Sequence, residues 1–209
     1  MSNTSLKNTK PPLKAGITGG IGSGKSLACK IFRILNVPVF EADMEAKELM
    51  DKDPELRARI IELAGPEIYY ASGNLNRPKL AALIFNHSEL LQEVNQLVHP
   101  AVRRVFHDWA NQQTAPYVLV EAAILFESGF YRSLDFSILM SAPEEIRIQR
   151  VIQRDGTNRE QVVSRIRNQW PEEKKRELAD FIITNDESTF LITQVLEVHN
   201  KILENGKIR

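Results

Sequence analysis

Eight consecutive residues, Gly19-Gly20-Ile21-Gly22-Ser23-Gly24-Lys25-Ser26, satisfy the pattern G-x-x-x-x-G-K-[ST] in full. Each residue type has a chemical reason to be there. Glycines let the backbone wrap closely and aim its N–H groups inward at phosphate oxygens. The start of a following helix adds partial positive charge. Lys25 can reach the β- and γ-phosphates, and the Ser26 hydroxyl can ligate Mg²⁺. A Gly-rich turn with an incidental lysine is the bland alternative. The full match, between an apolar run and an amphipathic one, argues against it. The loop implies a bound nucleoside triphosphate, with Gly20, Gly22, Ser23, Gly24, Lys25, Ser26 and Leu27 as its binding residues; it does not say which reaction follows.

Acids stand where short apolar runs end. Glu41-Ala42-Asp43 closes one such run and Glu121 another. In an open parallel sheet, ligands sit beyond the carboxyl ends of the strands. Asp43 is therefore the candidate base that orients and deprotonates an acceptor hydroxyl, and Glu121 a candidate Mg²⁺ contact beside Ser26. If the strand runs on past Glu41, alternation puts Glu41 and Asp43 on one side. Equally, Asp43 could cap a helix from Met44 onward. Arg147, Arg150 and Arg154 share one helix face, and Arg165 and Arg167 follow on the next helix. Two such helices, joined by Asp155-Gly156, could close over the phosphates and neutralise charge in the transition state, or could be a solvated charged face. The four histidines show no metal-ligand spacing. His99 precedes Pro100, which reads as a helix boundary. Cys29 reads as a core filler, and Trp109 and Trp170 as packing anchors.

These residues need a scaffold, and the hydrophobic pattern supplies one. Five short apolar runs read as buried strands: Leu13–Thr18, Val37–Phe40, Tyr117–Val120, Phe136–Met140 and Phe181–Thr184. Helical patterns alternate with them, which implies an α/β fold with a five-stranded parallel sheet covered on both faces. Ala28, Ile31, Phe32 and Leu35 form one apolar helix face, and Leu191, Val195, Val198 and Ile202 another. Thr157 and Glu160 form a candidate capping box for a helix from Asn158 to Asn168. More than 70 residues separate the second and third strands, far beyond what a crossover needs. That stretch holds a helical insertion, punctuated by turns at Asp53-Pro54, Gly65-Pro66 and Ser72-Gly73-Asn74.

Composition narrows the function classes. The 209 residues carry 27 Lys+Arg against 27 Asp+Glu. The balance, and the absence of an aromatic stacking motif, argue against a nucleic-acid-acting NTPase. A single cysteine rules out an intrachain disulfide and Cys-rich metal sites. Residues 1–12 are polar, with no apolar signal region, and no run reaches the length of a membrane span. The expectation is a cytoplasmic protein with a frayed start, with no nucleic-acid or membrane partner, as a monomer or weak homo-oligomer.

Taken together, the motifs resemble the bacterial dephospho-CoA kinase family from about Ala15 to Asn185. Ile17-Thr18 through Ser26 is nearly that family's signature. Ala42-Asp43 resembles its Asp-Ala-Asp motif. Gly73-Asn74-Leu75-Asn76-Arg77, Leu97-Val98-His99-Pro100 and Leu125-Phe126-Glu127-Ser128-Gly129 resemble further family segments. Arg150, Arg154-Asp155-Gly156, Arg165 and Gln169 resemble its lid region, and Ala179-Asp180 to Asn185 its Ala-Asp-x-x-Ile-x-Asn ending. Departures are Glu41 for Asp, Glu121-Ala122-Ala123 for Asp-x-Pro, Asn76 for Asp and Leu27 for Thr. The resemblance implies a P-loop kinase fold in three parts: a nucleotide-binding core (13–43, 112–142, 179–209), a helical acceptor-binding insertion (44–111) and an arginine-bearing lid (143–178). It implies ATP and Mg²⁺ as cofactors and dephospho-CoA as the small-molecule acceptor, phosphorylated on its ribose 3′-hydroxyl. Asp43, Lys25, Arg150 and Arg154 would be catalytic. Arg77, Lys79 and His99 are candidate acceptor contacts. Rival readings are another small-molecule or nucleoside monophosphate kinase, and a P-loop module that binds nucleotide without turnover.

Overall fold

The computed structural model of the protein describes residues 11–208. The expected frayed start falls largely outside them. The described chain forms two compact units, residues 11–40 with 108–208, and 41–107.

The first unit is built on a sheet in the order β2-β3-β1-β4-β5. Its strands are β1 (Leu13–Gly19), β2 (Val39–Glu41), β3 (Tyr117–Glu121), β4 (Phe136–Ser141) and β5 (Phe181–Thr184). β1 lies at the centre, parallel to β3 in the register Ile17↔Glu121 and parallel to β4 in the register Gly19↔Met140. β5 runs parallel along the outer side of β4. The three inner strands β1, β3 and β4 are buried on both faces, so their sequences read as apolar runs rather than as alternation. On one face α1 (Lys25–Ile34) and α9 (Leu191–Ile208) cover the sheet. Ala28, Cys29 and Phe32 from α1 join Val195, Val198 and Ile202 from α9 around Ile17, Ile138 and Met140. Cys29 is thus a core residue. Between β4 and β5 the chain forms α6 (Glu144–Asp155), α7 (Arg159–Arg167) and α8 (Glu172–Leu178). Gly156, at φ 62°, ends α6 in the left-handed conformation that glycine accepts without strain. No helix among the described residues is long and apolar enough to cross a membrane.

The second unit consists of α2 (Ala42–Lys52), α3 (Pro54–Ala64), a short 3-10 turn (Pro66–Ile68), α4 (Arg77–Asn86) and most of α5 (Ser88–Asn111). Asp53 caps α3 by accepting from the Glu55 and Leu56 amides, each at 3.0 Å. Asn76 caps α4 by accepting from Lys79 N–H at 3.1 Å. Asn and Asp cap equally well, so this departure from the family pattern keeps its local role. Ser72-Gly73-Asn74 turns between the bridged residues Tyr69 and Leu75, with Gly73 at φ 90°.

Four local expectations are corrected. β2 begins at Val39 rather than Val37 and stops at Glu41, so strand alternation does not reach Asp43. The α2 helix starts at Ala42, which makes Asp43 a first-turn residue and not the cap. His99-Pro100 lies inside α5, not at a boundary. Buried Val94, Val98, Val102 and Phe106 recur at helical spacing on both sides of Pro100. That continuous apolar stripe outweighs the one backbone hydrogen bond proline cannot donate. Finally, the cap of α7 is Asn158, which accepts from Gln161 N–H at 2.9 Å. Thr157 spends its hydroxyl on the Gln161 side chain.

Candidate active site

The phosphate loop leaves β1 at Gly19 and enters α1 at Lys25. Gly22 and Gly24 have φ of 80° and 96°, a conformation that L side chains rarely adopt. Ser23 N–H donates to Gly20 O at 3.1 Å, closing the turn. Lys25 folds its ammonium back onto Gly19 O at 2.9 Å. Ser26 and Leu27 stand exposed on the first turn of α1, where Leu27 N–H turns back to Gly24 O at 3.0 Å and the positive end of the helix faces outward. Gly20, Gly22, Ser23, Gly24, Lys25, Ser26 and Leu27 thus form one continuous cradle of the kind a polyphosphate fills.

The ends of β3 and β5 meet this cradle. Glu121, paired in register with Ile17, lies beside α1, where its carboxylate accepts from the Cys29 thiol. Burial first, and then the charge of Glu121, push that thiol far above its ordinary range. Asn185, just past β5, holds the loop from the other side. Its amide nitrogen donates to Ser23 O at 2.9 Å, and its backbone N–H donates to Ser141 O at 2.8 Å. A side chain on Gly24 would collide with it. Asn185 is a site residue that sequence reasoning passed over as part of a family ending. The signal that could have found it is the strand-end rule, applied to β5 as it was to β2 and β3.

The three arginines of α6 diverge in environment. Arg150 donates to Asn185 O at 3.2 Å and meets Glu187 at 3.2 Å, so it sits one residue away from the loop. Arg147 is buried at 7% exposure, its nearest carboxylate Glu144 at 3.9 Å and its Nε without a hydrogen-bond partner. Arg154 is exposed and pairs with Asp155 at 2.7 Å, a carboxylate shared with Arg165 at 3.3 Å. The hydrogen bond from Arg154 is the main reason Asp155 is held below the usual carboxylate range. Below α6 a cleft of about 720 Å³ is lined by Gly20, Ser141, Arg147, Trp170, Glu172 and Arg176. Trp170, read from sequence as a packing anchor, is half-buried on this cleft with the Lys174 ammonium 3.4 Å over its ring. Trp109 packs against Phe40, ring centroids 5.3 Å apart.

Asp43 belongs to the second unit, exposed in the first turn of α2, two residues past the end of β2. Within that unit, Arg77 is engaged by Asp51 at 2.7 Å and Lys79 by Glu67 at 2.7 Å. Burial, with the charge of Arg103, holds the half-buried His99 below the ordinary imidazole pKa. Among the described residues no three His, Cys, Asp or Glu side chains cluster to cage a metal. The Ser26 hydroxyl and the Glu121 carboxylate are oxygen donors of the kind Mg²⁺ takes alongside substrate phosphates.

A family model described as dephospho-CoA kinase matches residues 13–190. Among known proteins, the dephospho-CoA kinase of Bacteroides fragilis is 39% identical over 187 residues, covering 89% of this chain and 91% of that one. The dephospho-CoA kinase of Chlorobaculum tepidum is 40% identical over 200 residues, covering 92% and 96%. Among solved structures, TT1252 from Thermus thermophilus superposes with a TM-score of 0.81 at 36% identity, covering 92% of this chain and 98% of that one.

Proposed function

The chain belongs to the dephospho-CoA kinase family, and from that premise we propose how its residues transfer the γ-phosphoryl group of ATP to the ribose 3′-hydroxyl of dephospho-CoA. The reaction yields coenzyme A and ADP. The observation that carries the reading is the intact phosphate cradle from Gly20 to Leu27 in a chain that matches this kinase family across residues 13–190.

In the proposed mechanism the cradle amides grip the β- and γ-phosphates. Lys25 exchanges Gly19 O for phosphate oxygen. A magnesium ion held by Ser26 and Glu121 would neutralise phosphate charge. Asp43 accepts a hydrogen bond from the 3′-hydroxyl, aligns it for in-line attack and takes its proton late. As the new O–P bond forms, the bond to the β–γ bridging oxygen breaks and ADP departs. What supports Asp43 is its position two residues past a sheet strand's carboxyl end. Arg150 and Arg154, on the lid helix, spread the charge of the moving group. Positioning and electrostatics supply most of the acceleration. The insertion from residue 44 to 111 grips the acceptor, and residues 143–178 act as the lid. The buried, unpaired Cys29 suits a reducing, cytoplasmic compartment.

The deciding experiment is ADP release from Mg-ATP with and without dephospho-CoA, beside Lys25→Ala. Release that needs both acceptor and Lys25 is the expected result. Release with some other alcohol acceptor alone would transfer the reading to a different small-molecule kinase.

A further inference from the structure

Three consecutive residues at the tip of the phosphate loop are gripped by the helices between β4 and β5 rather than by the sheet. The side chain of Ile21 packs into the small apolar cluster of α6 and α7, against Ile148, Val151, Val162 and Ile166. Its backbone N–H donates to Gln169 Oε1 at 3.0 Å, from the short segment joining α7 to α8. Its neighbours are closed off by α6. A side chain on Gly20 would strike the Arg147 guanidinium, and one on Gly22 would strike the Arg147 backbone carbonyl. The segment that carries Gln169 is itself tied down. Trp170 N–H donates to Glu127 Oε1 at 3.4 Å, and the buried Lys175 ammonium meets the same oxygen at 2.7 Å.

We propose that Ile21 and Gln169 are positioning residues through which α6, α7 and the segment after them set the shape of the phosphate loop. The loop amides that face phosphate follow directly on Ile21, so a hold on its amide and side chain fixes where they point. When these helices shift, Ile21 leaves their apolar cluster or drags the loop along, and the cradle loses its shape. When they seat, the cradle is complete and the helices cover it. Neither residue touches the reacting atoms; both act through the backbone of Gly20 to Gly24. The inference rests on the reading of α6–α8 as the lid of an ATP-dependent kinase.

The test compares Gln169→Leu, Gln169→Glu and Ile21→Ala with the unaltered chain. Leucine keeps the size of the side chain and loses the acceptor, whereas glutamate keeps an acceptor oxygen. Loss of one such hydrogen bond predicts a fall of about five- to tenfold in kcat/KM for ATP in Gln169→Leu. KM for dephospho-CoA stays unchanged, and the share of ATP lost to water without acceptor phosphorylation rises. Ile21→Ala follows Gln169→Leu, whereas Gln169→Glu, which sets a negative charge beside the phosphates, is read by amide exchange alone. An independent readout is hydrogen exchange of the Ile21 amide in the nucleotide-free protein, followed by NMR. It should accelerate in Gln169→Leu and return toward the original rate in Gln169→Glu. If Gln169→Leu does not fold, Gln169→Ser, too short to reach Ile21, carries the same expectations. No acceptor-dependent ADP release from the unaltered chain would sink the kinase reading, while the exchange result would still stand. Normal release from the unaltered chain, with Gln169→Leu matching it in kinetics and exchange, overturns the inference. So does an accelerated Ile21 exchange that Gln169→Glu fails to slow.

Discussion

Lys25 donates its ammonium to Gly19 O, which holds its charge at the mouth of the loop. Asp43 has the opposite character, exposed on the first turn of α2. A base so placed needs the acceptor to organise it, and its contribution belongs to turnover rather than to ATP affinity. Asp43→Asn should therefore lower kcat by about a hundredfold or more, with the ATP dissociation constant, measured by calorimetry, unchanged. Near-normal kcat in that variant would remove Asp43 from the base role. Glu121, for its part, is a longer acid than its family counterpart. It accepts from the Cys29 thiol on α1, the helix that carries Ser26.

Strands β3 and β5 have the bounds that apolar runs and turn residues forecast, apart from one added residue at the end of β3. Glu121 does end β3, and Asp43 lies two residues past the end of β2. Local backbone chemistry was less legible. Thr157 and Asn158 are both good caps three residues from a plausible partner, and the cap position falls on Asn158, whose backbone is extended. Asn158→Ala should then cost about 1 kcal/mol in denaturant unfolding, and Thr157→Ala much less. Equal losses would show that the two hydroxyl and amide caps share the work. Pro100 misled because the rule for the residue before proline is local, while the stripe from Val94 to Phe106 is tertiary. Gln169 and Arg147 could be seen as lid residues. Their grip on Gly20 to Gly22 could not, since it depends on how α6 and α7 fold back across the loop.

At the scale of the molecule, each unit contains an ion pair between residues distant in sequence. In the first, Lys175 is 1% exposed and meets Glu127 at 2.7 Å. Removing one partner strands the other, so Lys175→Ala should destabilise by about 3–5 kcal/mol. Pairing Lys175→Met with Glu127→Leu should recover most of that loss in thermal unfolding. In the second unit, burial acts to raise the pKa of Asp51, but hydrogen bonds from Arg77 and the Leu75 amide together outweigh it and hold the carboxyl below its ordinary value. A depressed carboxylate stabilises fully above the unfolded pKa of about 3.9 and is lost as pH falls through the folded value. Acidification below pH 4 should thus weaken the unit containing α2 and α4, and Asp51→Asn should flatten that slope. An unchanged acid limb in the variant would show that Arg77 and Asp51 contribute little.

The central strand has a consequence for synthesis. β1 finds its sheet partners only at Tyr117 in β3 and Phe136 in β4, roughly a hundred residues further along the chain. At translation rates of about 5–20 residues per second, β1 waits for about 5–20 s with its apolar edges unpaired. Residues 41–107 emerge during that wait and form a unit of mostly local helices, the kind of structure that folds in microseconds to milliseconds. On the ribosome, then, the inserted unit is born and finished while the sheet that flanks it is still incomplete, and the nascent strand around the phosphate loop is the segment most in need of chaperone cover.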